Sequence, residues 1–346
     1  ITLPGGARMD LPYTANVRVD TIIVQSGAPF AAESPRDFSS AIAKGNGTII
    51  TGQPLVASVE ASTSDGAYNA GDTVLVTVTF SENVFVFGTP QLTLETGSND
   101  VVLNYVSGSD SPTLVFRYIV ASGHTSPDLS YISTSALALS GDNPFLRDNL
   151  TNDAVLTLPV PGAANSLQAN KALVIDTEAP TAGTIRDGSS GSDVNYSSGN
   201  TSLTANWTGF SDTLSGIASY EIAIGTSSGA TDILSWTSAG NVTTYTKTEL
   251  SLTHAATYYV STRALDAAGN YSSAATTNGV IIDAVAPAST VSIDSTTYNA
   301  TEWDAATAIT GTASDANSGL TLVETRIHRS TDSFYWTGSD WSDTEQ

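Results

Sequence analysis

Acidic and amide side chains in short turn-like segments are the residues of this chain with the clearest capacity for chemistry. They occur in VIDTE (174–178), SDTLSG (211–216) and LDAAGN (265–270). Clustered carboxylate oxygens bind hard cations, and Ca²⁺ accepts about six to eight oxygen ligands in flexible geometry, whereas Mg²⁺ requires a tighter octahedron. The same residue types also form ordinary turns by hydrogen-bonding to their own backbone. The sequence therefore leaves a calcium-binding and a purely structural interpretation open.

Two further acidic groups are candidate cation sites. One combines Asp283 of the segment IIDAVAP with Asp315 of SDANSG. The other is RDNLTND, in which Asp148, Asn149 and Asp153 partly reproduce the alternation of ligands in an EF-hand loop. That segment lacks the glycine and the distal glutamate of a true EF-hand loop. Turn formation is the alternative for both groups.

Catalytic chemistry has little support in the sequence. The histidines His124, His254 and His328 lie outside any local catalytic motif, and we expect exposed structural roles for all three. No GxGxxG, P-loop or HExxH segment occurs, and paired carboxylates for glycoside cleavage need a cleft for which small sandwich modules have little room. The chain has no cysteine, which excludes disulfides and thiolate metal sites. We therefore expect no enzymatic activity.

An aromatic segment near the end of the sequence, FYWTGSDW, offers one other kind of site. Trp336 and Trp341 have the ring size that stacks on a sugar. Cross-strand packing within a hairpin is the simpler explanation of the same spacing.

The charge balance restricts the partners. The chain has 12 Lys and Arg against 34 Asp and Glu, a formal net charge of -22. Nucleic acids and anionic membrane surfaces are repelled by such a charge, whereas cations are attracted. No stretch approaches the roughly 20 apolar residues of a membrane-spanning helix. We therefore expect neither nucleic-acid binding nor membrane insertion.

The elements that must position these residues are predicted to be β-strands. Short alternating runs rich in Val, Ile, Thr and Tyr are separated by turn clusters such as SDG and TGSND. In TVLVTVTF (73–80), Val74, Val76, Val78 and Phe80 share one face of a strand. This pattern predicts an all-β fold of tandem antiparallel β-sandwiches.

One segment, SPRDFSSAIAKG, instead carries helix signals. Ser34 can cap a helix, Pro35 suits its first position, and Asp37 favours its positive end, while Gly45 can close it. These signals predict one short helix near the start of the chain, at about 35–44.

Two Ala-Pro steps, in VIDTEAP and IIDAVAP, divide the chain. Proline fixes its own φ and holds the preceding residue extended, so each step predicts a strand that runs into a short, stiff connector. The predicted limits are 1–53, 54–177, 178–284 and 285–346. We expect the last piece to be an incomplete module and the chain to be a mature or partial sequence.

Residues 202–282 resemble a fibronectin type III module. SLTANWTGFSD resembles the second strand of that family, with Trp207 as its core tryptophan, and SYEIAIGTS resembles the third strand, which Tyr220 begins. LSLTHAATYYVSTRALDAAGNYSS matches the region around the family's tyrosine corner, with Leu252 and Tyr258 at the family's positions. The resemblance implies a fibronectin type III-like β-sandwich.

The flanking regions resemble other modules of exported bacterial proteins. Residues 55–176 resemble adhesin-like or cadherin-like surface repeats through DGAYNAGDTVLVTVTFSENV and TPQLTLETG. ITGTASDANSGLTLVETRIHRSTDSFYWTGSDW resembles a bacterial immunoglobulin-like module, whereas residues 1–53 resemble no family. These resemblances imply several modules in a surface or secreted protein and no enzymatic activity.

The fibronectin-like resemblance also implies that the acidic loops meet. In that family the loop after the second strand and the loop before the last strand lie where the chain enters the module. Asp212, Asp266 and Asn270 should therefore meet Asp176 and Glu178 of the connector. Without a counter-ion these carboxylates repel at a cost of about 1 kcal/mol or more per close pair. We expect a structural Ca²⁺ at this junction and a second one at the next.

The expected function is non-enzymatic: a structural or adhesive segment of a large bacterial cell-surface or secreted protein, stiffened into a rod by calcium. Expected partners are the other modules, a host or neighbouring-cell surface, a glycan, or another copy. One alternative is self-assembly into a surface layer or filament through edge strands or a strand donated by residues 1–53. The other is an accessory carbohydrate-binding or spacer region of a secreted polysaccharide-degrading enzyme.

Overall fold

The chain folds into two compact units. The computed structural model describes residues 2–3, 23–24, 42–44, 48–50, 53–189, 191–292, 310–329, 334–336 and 341–342. The first unit comprises Ile1–Pro180, Asp212–Gly216 and Asp266–Tyr271, and the second comprises Thr181–Ser211, Ile217–Leu265 and Ser272–Gln346. The described secondary-structure elements are all strands except one four-residue helix, which confirms the predicted all-β class.

The first unit contains thirteen strands and one four-residue helix among its described residues. The strands are β1 Thr2–Leu3, β2 Ile23–Val24, β3 Ile42–Lys44, β4 Thr48–Ile50, β5 Val56–Ala61, β6 Gly66–Tyr68, β7 Thr73–Glu95, β8 Val101–Ser107, β9 Ser111–Ile119, β10 Thr125–Ser126, β11 Ser130–Tyr131, β12 Leu137–Arg147 and β13 Leu173–Asp176, and the helix is α1 Leu167–Asn170.

The long strand β7 organises the first unit. Its first half pairs antiparallel with β5 and β9, and its second half pairs antiparallel with β8, β11 and β12. Gly88 has a φ of 83°, and a Cβ atom there would lie 2.7 Å from the Cβ of Pro144. Glycine therefore allows β7 to remain in contact with β12 at this point.

The apolar face of β7 fills the core of the first unit. Val74, Val76, Val78 and Phe80 are buried, which confirms the face predicted from their alternation. Buried side chains from the second half of β7 and from β8 and β9 complete this core, including Leu92, Leu94, Leu103, Leu114, Phe116 and Tyr118.

The helix predicted at about 35–44 is wrong over Ile42–Lys44. These residues form β3, which pairs antiparallel with β4 and parallel with β2. The sequence Gly-Asn-Gly between β3 and β4 is typical of a hairpin connection, so strand pairing outweighs the helix signals. Residues 35–41 lie outside the described residues.

A short helix, α1, comes directly before the strand that carries Asp176. Ser166 caps α1 by accepting a hydrogen bond from the Ala169 amide, and the buried Leu167 anchors it. The chain then enters β13, which pairs parallel with β6 and antiparallel with β10. These contacts hold β13 as the central strand of a three-stranded sheet and so fix the position of its end.

The second unit contains fourteen strands among its described residues. They are β14 Thr184–Asp187, β15 Tyr196–Ser197, β16 Leu203–Thr208, β17 Ile217–Gly225, β18 Leu234–Gly240, β19 Thr244–Lys247, β20 Thr257–Asp266, β21 Ala275–Thr276, β22 Val280–Ile282, β23 Ala288–Ser292, β24 Thr310–Ser314, β25 His328–Arg329, β26 Phe334–Trp336 and β27 Trp341–Ser342.

Two sheets of the second unit share a core. One has the order β14-β16-β19, and the other has the order β15-β22-β20-β17-β18 with β21 added to β20. Trp207, Tyr220, Leu252 and Tyr258, the residues that carry the fibronectin-like resemblance, are all buried. The Tyr258 hydroxyl accepts a hydrogen bond from the Thr253 amide, 3.0 Å away.

Two smaller sheets complete the described chain. β23 pairs with β24, and β25, β26 and β27 form a separate antiparallel sheet. Among the described residues no helix is long and apolar enough to cross a membrane. The four predicted module limits stay a prediction.

We predict that Phe116→Ala lowers the free energy of unfolding of the first unit by about 3 to 5 kcal/mol, because it leaves a cavity in a buried cluster. Calorimetry of the variant and the parent chain measures this loss. Val102→Ala is the matched control, since Val102 is 53% exposed, and a loss above about 1 kcal/mol there would contradict the core assignment.

Candidate metal centre

Asp176 is a buried carboxylate at the end of β13. Its side chain is fully enclosed, with 0% of the residue exposed. One carboxylate oxygen accepts the Glu178 amide at 3.1 Å, and the other accepts the Ser215 amide at 3.1 Å. Since each carboxylate oxygen accepts about two hydrogen bonds, both retain capacity for another ligand.

Asp212 begins a tight turn whose amides point at its side chain. Its Oδ1 accepts the amides of Leu214, Ser215 and Gly216 at 3.1, 2.9 and 2.7 Å. This pattern is an extended Asx turn. The Ser215 amide is shared with Asp176, so this one N–H links the turn to the end of β13.

Asp266 ends β20 and begins a second turn. Its Oδ1 accepts the amide of Asn270 at 2.8 Å, and its Oδ2 accepts the side-chain amide of Asn270 at 2.9 Å. The Ala267 amide donates to the carbonyl of Gly216 at 3.1 Å, which joins the two turns. Asp266 itself is only 2% exposed.

The three aspartates converge. One carboxylate oxygen from each of Asp176, Asp212 and Asp266 lies within 4.8 Å of the other two, and all three residues belong to the first unit. At such separations two unit charges repel by about 1 to 3 kcal/mol, depending on how well water screens them. The backbone amides reduce this repulsion without supplying a full positive charge.

The donor set fits a hard cation. All three converging groups are carboxylates, the ligand type that Ca²⁺ prefers. Ser215, whose amide bonds to two of these carboxylates, has a buried hydroxyl without a hydrogen-bond partner, which is unusual for a buried polar atom. The half-buried position of Asp212 leaves one side of the group near solvent, where water can supply further ligands.

The other two residues predicted for this junction lie differently. Glu178 is exposed, and its backbone amide contacts the group by donating to Asp176. The side-chain amide of Asn270 donates to the carbonyl of Asp176 at 3.1 Å as well as to Asp266. Asn270 therefore ties Asp266 to the end of β13 through its nitrogen.

The next junction repeats two of the three carboxylates. The Oδ1 of Asp315 accepts the amides of Asn317, Ser318 and Gly319, as Asp212 does in its own turn. The Ser318 amide also donates to Asp283 at 3.0 Å, in the manner of Ser215 and Asp176.

A histidine accompanies this second group. The Nδ1 of His254 lies 3.7 Å from the Oδ1 of Asp283, and both residues line a shallow surface cavity with Asp315. Hydrogen bonds from Ser318, with a smaller contribution from His254, hold the pKa of Asp283 below its ordinary value. In the described part of the chain, only the group at Asp176 places three carboxylates together.

The third predicted group forms a turn of the same kind as Asp266. Asp148 accepts the backbone amide of Asn152 at 2.8 Å and its side-chain amide at 2.6 Å. Asp153 is paired with Arg147 at 2.5 Å. Burial, followed by the nearby Asp148 carboxylate, raises the pKa of Glu82, so Glu82 also lies near this turn.

The remaining predicted residues are placed as follows. Trp336 and Trp341 are directly opposite each other in the β26–β27 pair, so the predicted hairpin is present. The Nδ1 of His124 lies 2.9 Å from the Tyr118 hydroxyl, and the two rings stack. His328 lies in β25.

Sequence reasoning missed one buried carboxylate, Asp187. It ends β14, where Ile185 and Asp187 point inward while Thr184 and Arg186 are exposed. Burial raises the pKa of Asp187 to about 6. The strand period of two was the available signal, but the following DGSSGSD segment made Asp187 resemble a turn residue.

Comparison with known proteins finds fold-level likenesses only. No protein-family model matches the chain. No curated protein matches it either. Among solved structures, a titin segment aligns with 68% of this chain and 71% of its own at 12% identity, with a TM-score of 0.34.

Two other solved structures are similar over comparable lengths. The fibronectin(III)-like modules of Clostridium thermocellum CbhA align with 65% of this chain and 94% of their own at 12% identity and a TM-score of 0.25. A two-domain fibronectin type III segment of chicken tenascin aligns with 65% of this chain and 97% of its own at 13% identity and a TM-score of 0.22. With such scores, these likenesses assign neither a family nor a function.

We predict that Asp212→Asn stabilises the chain when divalent ions are removed by a chelator. The asparagine Oδ1 can keep the three amide hydrogen bonds of the turn, whereas one charge leaves the repelling group. The expected gain is about 1 kcal/mol or more at low salt, measured by chemical denaturation.

Asp212→Ala is the contrasting variant. It removes the charge but also the acceptor of three amides, so it should destabilise the chain by about 1 to 3 kcal/mol. If the two substitutions change the free energy of unfolding equally, repulsion among the carboxylates does not contribute significantly to it.

Proposed function

We propose that this chain is a non-enzymatic structural segment of an exported bacterial surface or secreted protein, and that Ca²⁺ bound by Asp176, Asp212 and Asp266 fixes its connector. The observation that supports this most strongly is the convergence of the three carboxylates within 4.8 Å. The three residues come from widely separated parts of the sequence, so the fold itself assembles the group.

Electrostatics favours an ion at this position. The three carboxylates stay close because the turns of Asp212 and Asp266 are held by several backbone amides each. A divalent cation converts their mutual repulsion into attraction, and the net charge of -22 raises the local concentration of cations. Calcium suits the group better than magnesium because the ligands sit on turns and need no strict octahedron.

The expected consequence of binding is mechanical. Asp176 is followed by the connector that leads to β14, while Asp212 and Asp266 lie on loops that continue into β17 and end β20. An ion held by all three residues restricts the motion of these segments, and its binding energy adds to the stability of the folded chain. This role requires no catalytic residue and agrees with a spacer or stalk.

The experiment is a comparison of thermal unfolding in calcium and in chelator. At a calcium concentration of 100 times the dissociation constant, binding stabilises the folded chain by about 2.7 kcal/mol. We expect the parent chain to gain this stability, and we expect Asp212→Asn and Asp266→Asn to lose most of the gain. Amide exchange in 212–216 and 266–271 should slow with calcium in the parent chain alone.

Asp148→Asn is the matched control. Asp148 heads a turn with the same two hydrogen bonds from its asparagine as Asp266, but it is not part of the three-carboxylate group. This variant should keep the full response to calcium. A parent chain that melts identically in calcium and chelator would rule the proposal out, and loss of the response in Asp148→Asn would move the site to that turn.

The alternatives of self-assembly and of a carbohydrate-binding accessory region stay predictions. Trp336 and Trp341 occupy facing positions in the register of β26 and β27, and sugar binding by them stays a prediction.

A further inference from the structure

Asp187 is a buried acidic residue of the second unit, and it lies outside the candidate metal centre. It is 1% exposed, and neither of its carboxylate oxygens has a hydrogen-bond partner of good geometry. Its backbone pairs with Ala205 of β16, and its side chain points inward with Ile185. A buried carboxylate without partners is costly when ionised.

The surroundings of Asp187 contain few compensating groups. Burial raises its pKa to about 6, while the Thr277 hydroxyl and the Gly279 amide lie near enough to offset part of that shift. Both oxygens are sealed from solvent, so a hydrated metal ion cannot reach them in this arrangement. A proton is the cation that fits.

The next carboxylate along the chain, Asp193, lies beside this group and adds to the shift. Asp193 accepts the backbone amide of Asp187 at 3.1 Å and the side-chain amide of Asn278 at 2.8 Å. It thereby attaches the segment 191–197, here called the strap, to β14 and to the turn before β22. An ionised Asp187 repels the residue that holds the strap in place.

The strap continues into the sheet of the second unit. Its strand β15 pairs parallel with β22, and the Ile281 amide donates to the carbonyl of Asn195 at 2.9 Å. A loosened strap therefore exposes one edge of β22. Release of Asp193 affects this edge directly, because only residues 194 and 195 separate Asp193 from β15.

The other charged groups around Asp187 are few. On its own strand, Arg186 is exposed and donates to the carbonyl of Gly191 on the strap. β16, β21 and β22 contain no titratable side chain, and the turn between the last two contributes Thr277 and Asn278. Protonation of Asp187 is thus favoured mainly by burial and to a lesser degree by the Asp193 carboxylate, whereas the nearby Thr277 hydroxyl and Gly279 amide oppose it.

We propose that Asp187 is a proton-operated latch for the strap: the protonated side chain keeps residues 191–197 docked, and loss of the proton repels Asp193 and opens them. The transfer involves one proton, taken from or released to solvent when the strap opens locally. The docked state is therefore favoured most at low pH, and its advantage is lost as the pH rises from about 4 to about 6.

The direction of the pH dependence of docking follows from the two pKa values of Asp187. The folded-state value of about 6 lies above the ordinary value of 3.8, so the docked form binds more protons than an open form between these limits. Docking is then strongest below about pH 4, weakens up to about pH 6, and stays constant above that.

The test measures amide hydrogen exchange at Ile281 and in the strap at pH 4.5 and 7.5, corrected for the intrinsic rates. Protection should fall about tenfold or more at the higher pH in the parent chain, within the limit of about 100-fold set by a two-unit difference in pKa. In Asp187→Asn, which cannot ionise, protection should be equal at both pH values. The exposed Asp142→Asn removes the same charge elsewhere and should retain the full change.

Protection of Ile281 that does not change with pH would overturn the latch, and so would a change that persists in Asp187→Asn. A carboxyl-carbon NMR titration provides a readout in the parent chain that does not depend on the variant folding. A midpoint for Asp187 near 6 supports the proposal, and one near 4 contradicts it. Suppression of the change by millimolar Ca²⁺ at pH 7.5 would assign the group to a metal ion and also contradict it.

Discussion

The repulsion among three carboxylates is the constraint on which the proposed role of this chain depends. Asp176, Asp212 and Asp266 are held close by backbone amides that the turns aim at them. Amide dipoles can hold a carboxylate in place, but they do not cancel its charge. The structure therefore maintains a concentrated negative charge at the point where the connector leaves the first unit, and a cation is the simplest way to lower its energy.

The three-carboxylate group contains two kinds of turn, and each kind also occurs elsewhere in the described chain. The turn of Asp212 recurs at Asp315, and the turn of Asp266 recurs at Asp148, each with nearly the same hydrogen bonds. The turns alone do not make a three-carboxylate group, because only the position near Asp176 combines both of them with an acidic strand end among the described residues. A recurring turn therefore supplies one part of a candidate ion site, and the candidate is complete only where three carboxylates converge.

The sequence was most informative where a simple period or a family pattern governs the structure. The alternation in 73–80 predicted a buried face correctly, because a strand with one face in the core must alternate. The fibronectin-like pattern predicted that the loops of Asp212 and Asp266 lie near Asp176, and the three carboxylates do converge, while their role as a metal site stays a prediction. The nitrogen contacts of Asn270 and the exposure of Glu178 could not be foreseen, since they depend on side-chain directions within loops.

Two local misreadings have physical causes. The helix signals before Gly45 were overridden over Ile42–Lys44 by pairing with neighbouring strands, an interaction that local propensity does not contain. Asp187 was missed because a carboxylate at a strand end beside a glycine normally faces water. Its burial follows from the register of β14 with β16, which no sequence motif specifies.

The most direct test of the central claim is a crystal structure of the full chain grown with calcium, with anomalous scattering used to locate the ion. The account predicts a peak about 2.3 to 2.6 Å from carboxylate oxygens of Asp176, Asp212 and Asp266. A map with no anomalous peak at this position at saturating calcium, or with a lysine or arginine side chain neutralising the three carboxylates, would contradict it.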